Sequence, residues 1–298
     1  MKFGNVDNPE EIDFTIPPDH ADTAANLPGK AASDFKVYVG CAKWNKTDLK
    51  NFYPKGTKDE LGYYATQFNC VELNATFYRL FPPSTFEKWY DTAPEGFKFF
   101  PKLGQDISHF RRLKDVETLV DANVTNFSHL KEKLGMPFLQ MHNNFSPRDF
   151  DRVKAFIDHW KFDVPLAMEF RHTDWYNAPE VADELAGLLK ESSITNVLVD
   201  TAGRRDLLHM RLTTPVAFIR YVGANHPTDY HRLDDWIERI ANWKEQGLQE
   251  LYFFVHQNVE LESPLLSAYF IEKMNKQLGT DLKIPQTLVP VPQDPTAV

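Results

Sequence analysis

The residues best suited to chemistry lie in short ordered strings. In Glu169-Phe170-Arg171-His172 a carboxylate and a guanidinium stand two positions apart, and Asp174-Trp175-Tyr176 follows. Residues two apart on a strand share a face. Glu169 and Arg171 would therefore point to one side, with an imidazole and an indole in the next loop. That set offers an acid/base group, an anion clamp and a stacking platform. Trp175 serves equally well as an apolar lid, and His172 as a loop hydrogen-bonder. The same spacing recurs in Glu72 with Asn74 and in Gln140 with His142. Lys102, Asp200, Arg220 and His256 occupy late positions in four further strand-like runs, whereas Val37, Val39, Phe138, Leu166, Val197, Phe218 and Phe253 lie earlier. Polar residues thus gather at one end of the strands. The plain alternative is a buried ion network in which Glu72, Glu169 and Asp200 neutralise Lys102, Arg171 and Arg220.

The most basic stretch holds Lys98, Lys102, His109, Arg111, Arg112 and Lys114 against Asp106 and Asp115. Placed in a loop over the strand ends, it would favour a phosphate or carboxylate ligand. Lys102 differs from its neighbours because a strand end encloses it. There it would bind an anion or, with a lowered pKa, form a Schiff base, and anion binding is the favoured reading. Glu72, His109, His142, Glu169, His172, Asp200 and His256 would suit a divalent metal, as in phosphoesterases or isomerases. However, no H-E-x-x-H or H-x-H spacing is present and three cations would crowd the same mouth, so no metal ligand and no cofactor is assigned. Cys41 reads as packing rather than as a nucleophile.

These residues need a scaffold. Runs rich in β-branched and aromatic residues fall at 37–42, 70–75, 98–103, 137–142, 165–170, 195–201, 216–223 and 250–257. Helical patterns fall at 58–68, 85–90, 116–134, 149–160, 178–191, 232–246 and 264–278, several closed by Gly135, Gly247 or Gly279. Eight strands alternating with helices predict a single (β/α)8 TIM-type barrel over 35–284, with its site at the strands' C-terminal ends. The segment 202–215 is too short for a full crossover, so the sixth helix is expected to be reduced or missing. A doubly wound sheet is the alternative, but no G-x-G-x-x-G follows the first strand.

The chain has 298 residues, a net charge of −9 and two cysteines. That length buries ample core without staples. Residues 1–34 carry seven acids against Lys2 and Lys30, with interleaved prolines, and read as an extended or partly disordered arm. Residues 285–298 read as a proline-rich surface tail. The net negative charge weakens the case for non-specific nucleic-acid binding, although the arm supplies more than half of it. No apolar run spans a bilayer and no secretory leader begins the sequence, so the expectation is cytoplasmic.

Taken in order, several strings resemble the YecE-like family of TIM-type barrels, a family without an established biochemical function. They are Val39-Gly40-Cys41-Ala42-Lys43-Trp44, Phe52-Tyr53-Pro54, Tyr63-Tyr64, the run from Val71 to Arg79, Pro94-Glu95-Gly96-Phe97-Lys98-Phe99, Glu169-Phe170-Arg171-His172 with Trp175, and Asp200-Thr201. The resemblance implies a barrel whose mouth carries Glu72, Asn74, Tyr78, Lys102, His109, Glu169, Arg171, His172, Trp175 and Asp200, and it implies no reaction. The chain departs from the family pattern at three strand ends: Gln140-Met141-His142 lacks a Pro-Pro pair, Arg220-Tyr221-Val222-Gly223 lacks the usual His, and His256-Gln257 replaces an Asn-Asn.

The expectation that follows is an enzyme for a small anionic substrate, phosphorylated or sugar-like. Glu72, Glu169, Lys102, His172 and Asp200 would carry catalysis. Asn74, Tyr78, His109, Gln140 and His142 would bind substrate together with Arg171, Trp175, Arg220, His256 and Trp44. Two alternatives stand beside it: metal-dependent phosphodiester cleavage in nucleic acid, and a non-catalytic ligand- or partner-binding barrel.

Overall fold

Strands and helices alternate along the chain in the computed structural model, which describes residues 3–290. The strands are β1 (Lys36–Cys41), β2 (Cys70–Leu73), β3 (Lys98–Pro101), β4 (Phe138–Gln140), β5 (Ala167–Glu169), β6 (Thr195–Thr201), β7 (Val216–Gly223) and β8 (Glu250–Gln257). Between and after them run α1 (Glu60–Gln67), α2 (Ala75–Tyr78), α3 (Pro83–Thr92), α4 (Glu117–Phe127), α5 (Phe150–His159), α6 (Asp174–Asn177), α7 (Pro179–Glu191), α8 (Thr228–Gln246) and α9 (Ser263–Leu278). No helix among the described residues is long and apolar enough to cross a membrane.

The strands pair in parallel, as crossover connections rather than tight turns between them require. They form a six-stranded sheet ordered β1-β8-β7-β6-β5-β4 and a separate pair β2-β3, so the expected closed ring of backbone ladders is not what is found. At the β3/β4 seam only the isolated bridges Phe99↔Leu134 and Lys102↔Phe138 remain. At the β1/β2 seam side chains replace the ladder. Asn69 accepts from Val39 N at 3.0 Å and donates to Val37 O at 2.8 Å, while the Tyr64 hydroxyl accepts from Cys41 N and donates to Cys70 O. Gly40 makes this seam close, since a Cβ there would lie 2.3 Å from the Cys70 carbonyl oxygen.

Strand periodicity sorts the core into two faces. The helix-facing side buries Val37, Val39, Leu166, Leu198 and Phe253 in one cluster with Trp236 and Trp243 of α8. The opposite side gathers Phe100, Phe138, Ala167, Val197, Val199, Phe218 and Phe254. Phe100 of β3 lies within 6.1 Å, ring to ring, of Tyr38, Phe218, Tyr252 and Phe254, so β1, β3, β7 and β8 share this inner face. The early apolar residues therefore divide between the faces, with Val37, Val39, Leu166 and Phe253 on the helix side.

Two segments, 116–134 and the amino-terminal arm, differ from expectation, whereas the sixth crossover is reduced as expected. The helix predicted over 116–134 ends at Phe127 and continues as a 3-10 stretch, Ser128–Lys133. Lys131 takes a positive φ of 48°, and Lys133 Nζ leaves its own helix to donate to the carbonyls of Tyr90 and Ala93. The sixth crossover has no α-helix, only the 3-10 turn Ala202–Leu207. Residues 3–34 are irregular but fixed along the same side of the molecule. Thr23 is fully buried and donates to Met210 O, Asp19 pairs with Arg239 and accepts from Trp243 Nε1, and Asp22 pairs with Arg211. At the other end, Gln286 N donates to Gln67 Oε1 and Leu288 N to Asn51 O, whereas residues 291–298 of the expected tail lie outside the described residues.

Candidate functional site

The inner face turns from aromatic to ionic at the strands' C-terminal ends. Two residues beyond Cys70, Ala167 and Phe218, the same face carries Glu72 on β2, Glu169 on β5 and Arg220 on β7. Arg220 lies between the two carboxylates. Its Nε and one terminal nitrogen donate to Glu72 at 2.9 and 2.8 Å, and the other terminal nitrogen donates to Glu169 at 2.7 Å. Arg171 Nε donates to the second oxygen of Glu169, which also accepts from Gln140 Nε2 at 3.0 Å. Asn74 donates to Glu72 at 2.6 Å, and His256 Nε2 lies 3.0 Å from its other oxygen. Each of the four carboxylate oxygens thus has a partner, as buried charge requires.

The electrostatics follow from burial against pairing. Burial alone would raise both carboxyls, but the guanidiniums outweigh it. Arg171 and Arg220 hold Glu169 at about 2, and Arg220 with His256 holds Glu72 well below the usual carboxylate range. Lys102 moves the other way: burial, then Arg220 and Arg171, push its ammonium well below an ordinary lysine. Its Nζ donates to Gln140 Oε1 at 2.8 Å and lies 4.1 Å from the Phe77 ring centre. His109 packs edge-on against Phe77 and against His142, and burial together with Lys102 lowers it to about 4.

Above the network is a cavity of about 490 Å³ lined by Arg171, Arg220, Asn74, Tyr78, His256 and Gln257, with Lys43, Lys50 and Phe3 at its wall. Arg171 is 7% exposed. Its only side-chain hydrogen bond among the described residues is the one from Nε, so both terminal nitrogens remain available on the cavity side. Gln257 Oε1 is buried in the same wall without a hydrogen-bond partner among the described residues.

The structure brings together Glu72, Asn74, Lys102, Gln140, Glu169, Arg171, Arg220 and His256, and adds Tyr78 at the rim and His109 with His142 on the Lys102 side. It does not bring Asp200 there. Val197 and Val199 face inward, so strand parity turns Asp200 to the helix side, where it accepts from Arg232 at 2.8 Å and Trp236 Nε1 at 2.7 Å and pairs with Arg205. Trp175 is fully buried, with its indole N–H on Phe145 O and its ring among Phe145, Phe150 and Phe170, and so presents no stacking face. His172 is a loop residue whose Nδ1 accepts from Asp174 N. Trp44 packs on Trp89 against the helix-side core, not in the cavity. Among the described residues no group of three His, Cys, Asp or Glu side chains is placed to hold a metal ion.

Sequence reasoning missed Lys43, Gln257 and Phe3. Lys43 sits just past β1 and Gln257 beside His256, positions that strand-end logic could have supplied. Phe3 had no signal, being one aromatic in an acidic arm without periodicity.

Among known proteins, the family described as "Protein of unknown function DUF72" matches residues 38–289. The chain is 26% identical over 275 residues to UPF0759 protein YecE of Escherichia coli K12, covering 84% of this chain and 98% of that protein. It is 30% identical over 176 residues to UPF0759 protein YunF of Bacillus subtilis 168, covering 54% of this chain and 60% of that protein. The fold is similar to a crystal structure of a DUF72 family protein from Enterococcus faecalis V583, with a TM-score of 0.66 at 18% identity over 84% of this chain and all of that one. One from Thermotoga maritima MSB8 has the same TM-score at 24% identity over 81% of this chain and all of that one.

Proposed function

This chain belongs to the DUF72 family of proteins of unknown function, and from that premise we propose that it is an enzyme for a small anionic substrate, phosphorylated or sugar-like, bound over the Glu72–Arg220–Glu169 network. The observation that carries the reading is Arg171: a buried guanidinium whose terminal nitrogens, free of protein partners among the described residues, border a cavity large enough for a sugar phosphate. A guanidinium edge matches phosphate or carboxylate oxygens two to two. Lys43 and Lys50 add positive charge at the wall, and Lys102 lies behind, on Gln140.

Within this reading the arginines keep Glu72 and Glu169 ionised, so they serve as bases or charge stabilisers and not as proton donors. His256, hydrogen-bonded to Glu72 and lining the cavity, is the group positioned to move a proton. Metal-assisted phosphodiester cleavage is the weaker alternative, because a metal would have to displace Arg220 from both carboxylates. The shared inner face of β1, β3, β7 and β8 supports reading the strands as a (β/α)8 barrel with two loosened seams. The two buried free thiols suit the cytoplasm.

Calorimetric titration with ribose 5-phosphate and inorganic phosphate tests the reading. Wild-type protein is expected to bind, and Arg171→Ala to bind at least about tenfold more weakly, the loss of one charge-assisted pair. Equal binding by the two proteins, or none by either, would overturn it. Binding without turnover of any phosphorylated sugar would favour the static ligand-binding alternative.

A further inference from the structure

We propose that Phe3, carried on the amino-terminal arm, is a specificity-determining wall of the anion site: it covers one face of the Arg171 guanidinium and selects small non-aromatic anions over anions bearing a ring that would stack there. This rests on the anion-binding reading above and adds which anions are admitted.

A guanidinium offers two flat faces and an edge of N–H donors. In Arg171 the Nε–H is committed to Glu169, and the Phe3 ring centre lies 3.8 Å from the guanidinium carbon. The edge stays open for oxygens while this face is closed to rings. The ring is held there from several sides. Gly4 has φ +73°, and a Cβ on it would lie 1.9 Å from Thr201 Oγ1 at the end of β6, so the chain can pass only as glycine. Gly203 N donates to Gly4 O at 2.9 Å, and Asn258 Nδ2 beyond β8 donates to Asn5 Oδ1 at 2.9 Å. Three consecutive arm residues are thus tied to the ends of three strands, β5, β6 and β8. About 490 Å³ remains beside the ring, so the arm narrows the site without filling it. The family match begins at residue 38, so this wall is supplied by a segment outside the matched region. That segment also packs beside the crossover that lacks a helix.

The test titrates inorganic phosphate and phenyl phosphate into wild type, Phe3→Ala and Gly4→Val, the last displacing the ring without removing it. The ratio of the two affinities is the readout. In both variants phenyl phosphate is expected to gain about tenfold relative to inorganic phosphate, the range of a guanidinium–ring contact. An unchanged ratio in both variants, with phosphate still bound, would overturn the role of Phe3 and leave the anion site standing. Loss of both ligands in the variants alone would also overturn it, making Phe3 a support for Arg171 instead of a selector. Absence of phosphate binding in wild type and variants alike would remove the anion site and this inference together.

Discussion

Arg220 is the residue on which the site depends. It bridges two fully buried carboxylates at once, so Arg220→Ala leaves Glu72 with only His256 and Asn74, and Glu169 with only Arg171 and Gln140. Breaking such pairs costs roughly 3–5 kcal/mol, which urea denaturation at neutral pH would read directly; a loss under about 1 kcal/mol would contradict the network. The pH dependence has two signs. Glu169 titrates at about 2 when folded against 4.5 ordinarily, so its stabilisation is complete above the unfolded value and is lost as pH falls between those values. Glu169→Gln should therefore flatten the acid limb of stability. Lys102 has a folded pKa below the ordinary 10.5, so the unfolded chain binds the extra proton between the two values and stability rises with pH across that window. Lys102→Met should remove that rise and stabilise the free protein near neutrality, and an unchanged alkaline profile would count against a depressed Lys102. Much of this cluster was legible in the sequence, because polar residues two past an inward apolar residue must share its face, as Glu72 follows Cys70 and Arg220 follows Phe218. Asp200 was misplaced by ignoring the same parity against Val197. Trp175 was ambiguous because an indole suits a core and a binding wall equally.

At the scale of elements, the strand and helix order was readable, whereas the seams were not. Nothing in the period of a strand announces that Asn69 and Tyr64 will stand in for backbone ladder bonds between β1 and β2. Asn69→Ala removes both partners of Val37 O and Val39 N at that seam. A cost of about 1–3 kcal/mol is expected, with faster amide exchange at Val39 than at β7 residues. Protection unchanged at Val39 would mean that another group closes the seam. Asp200 belongs at this scale too: with Arg232 and Trp236 it fastens β6 to α8, so Asp200→Asn should lower stability and leave anion affinity intact.

For the molecule as a whole, the arm changes the picture most. An acidic, proline-containing segment reads as extended or partly disordered when its own apolar content is weighed alone, but its sparse anchors are met by a surface that only the folded body creates. Ile16 and Leu27 are buried, and Asp19 and Asp22 meet Arg239 and Arg211. Deleting residues 3–27 should cost about 3–6 kcal/mol from those two side chains alone and lower the thermal midpoint, whereas an unchanged midpoint would make the arm an appendage. The cavity over Arg171 is proposed as an anion site. That proposal is met most directly by a crystal structure of the full chain grown with ribose 5-phosphate. Phosphate oxygens are expected on the terminal nitrogens of Arg171, with the Glu72–Arg220–Glu169 network unchanged beneath. A saturating concentration that leaves Arg171 without an anion, or places the phosphate elsewhere on the molecule, would contradict it.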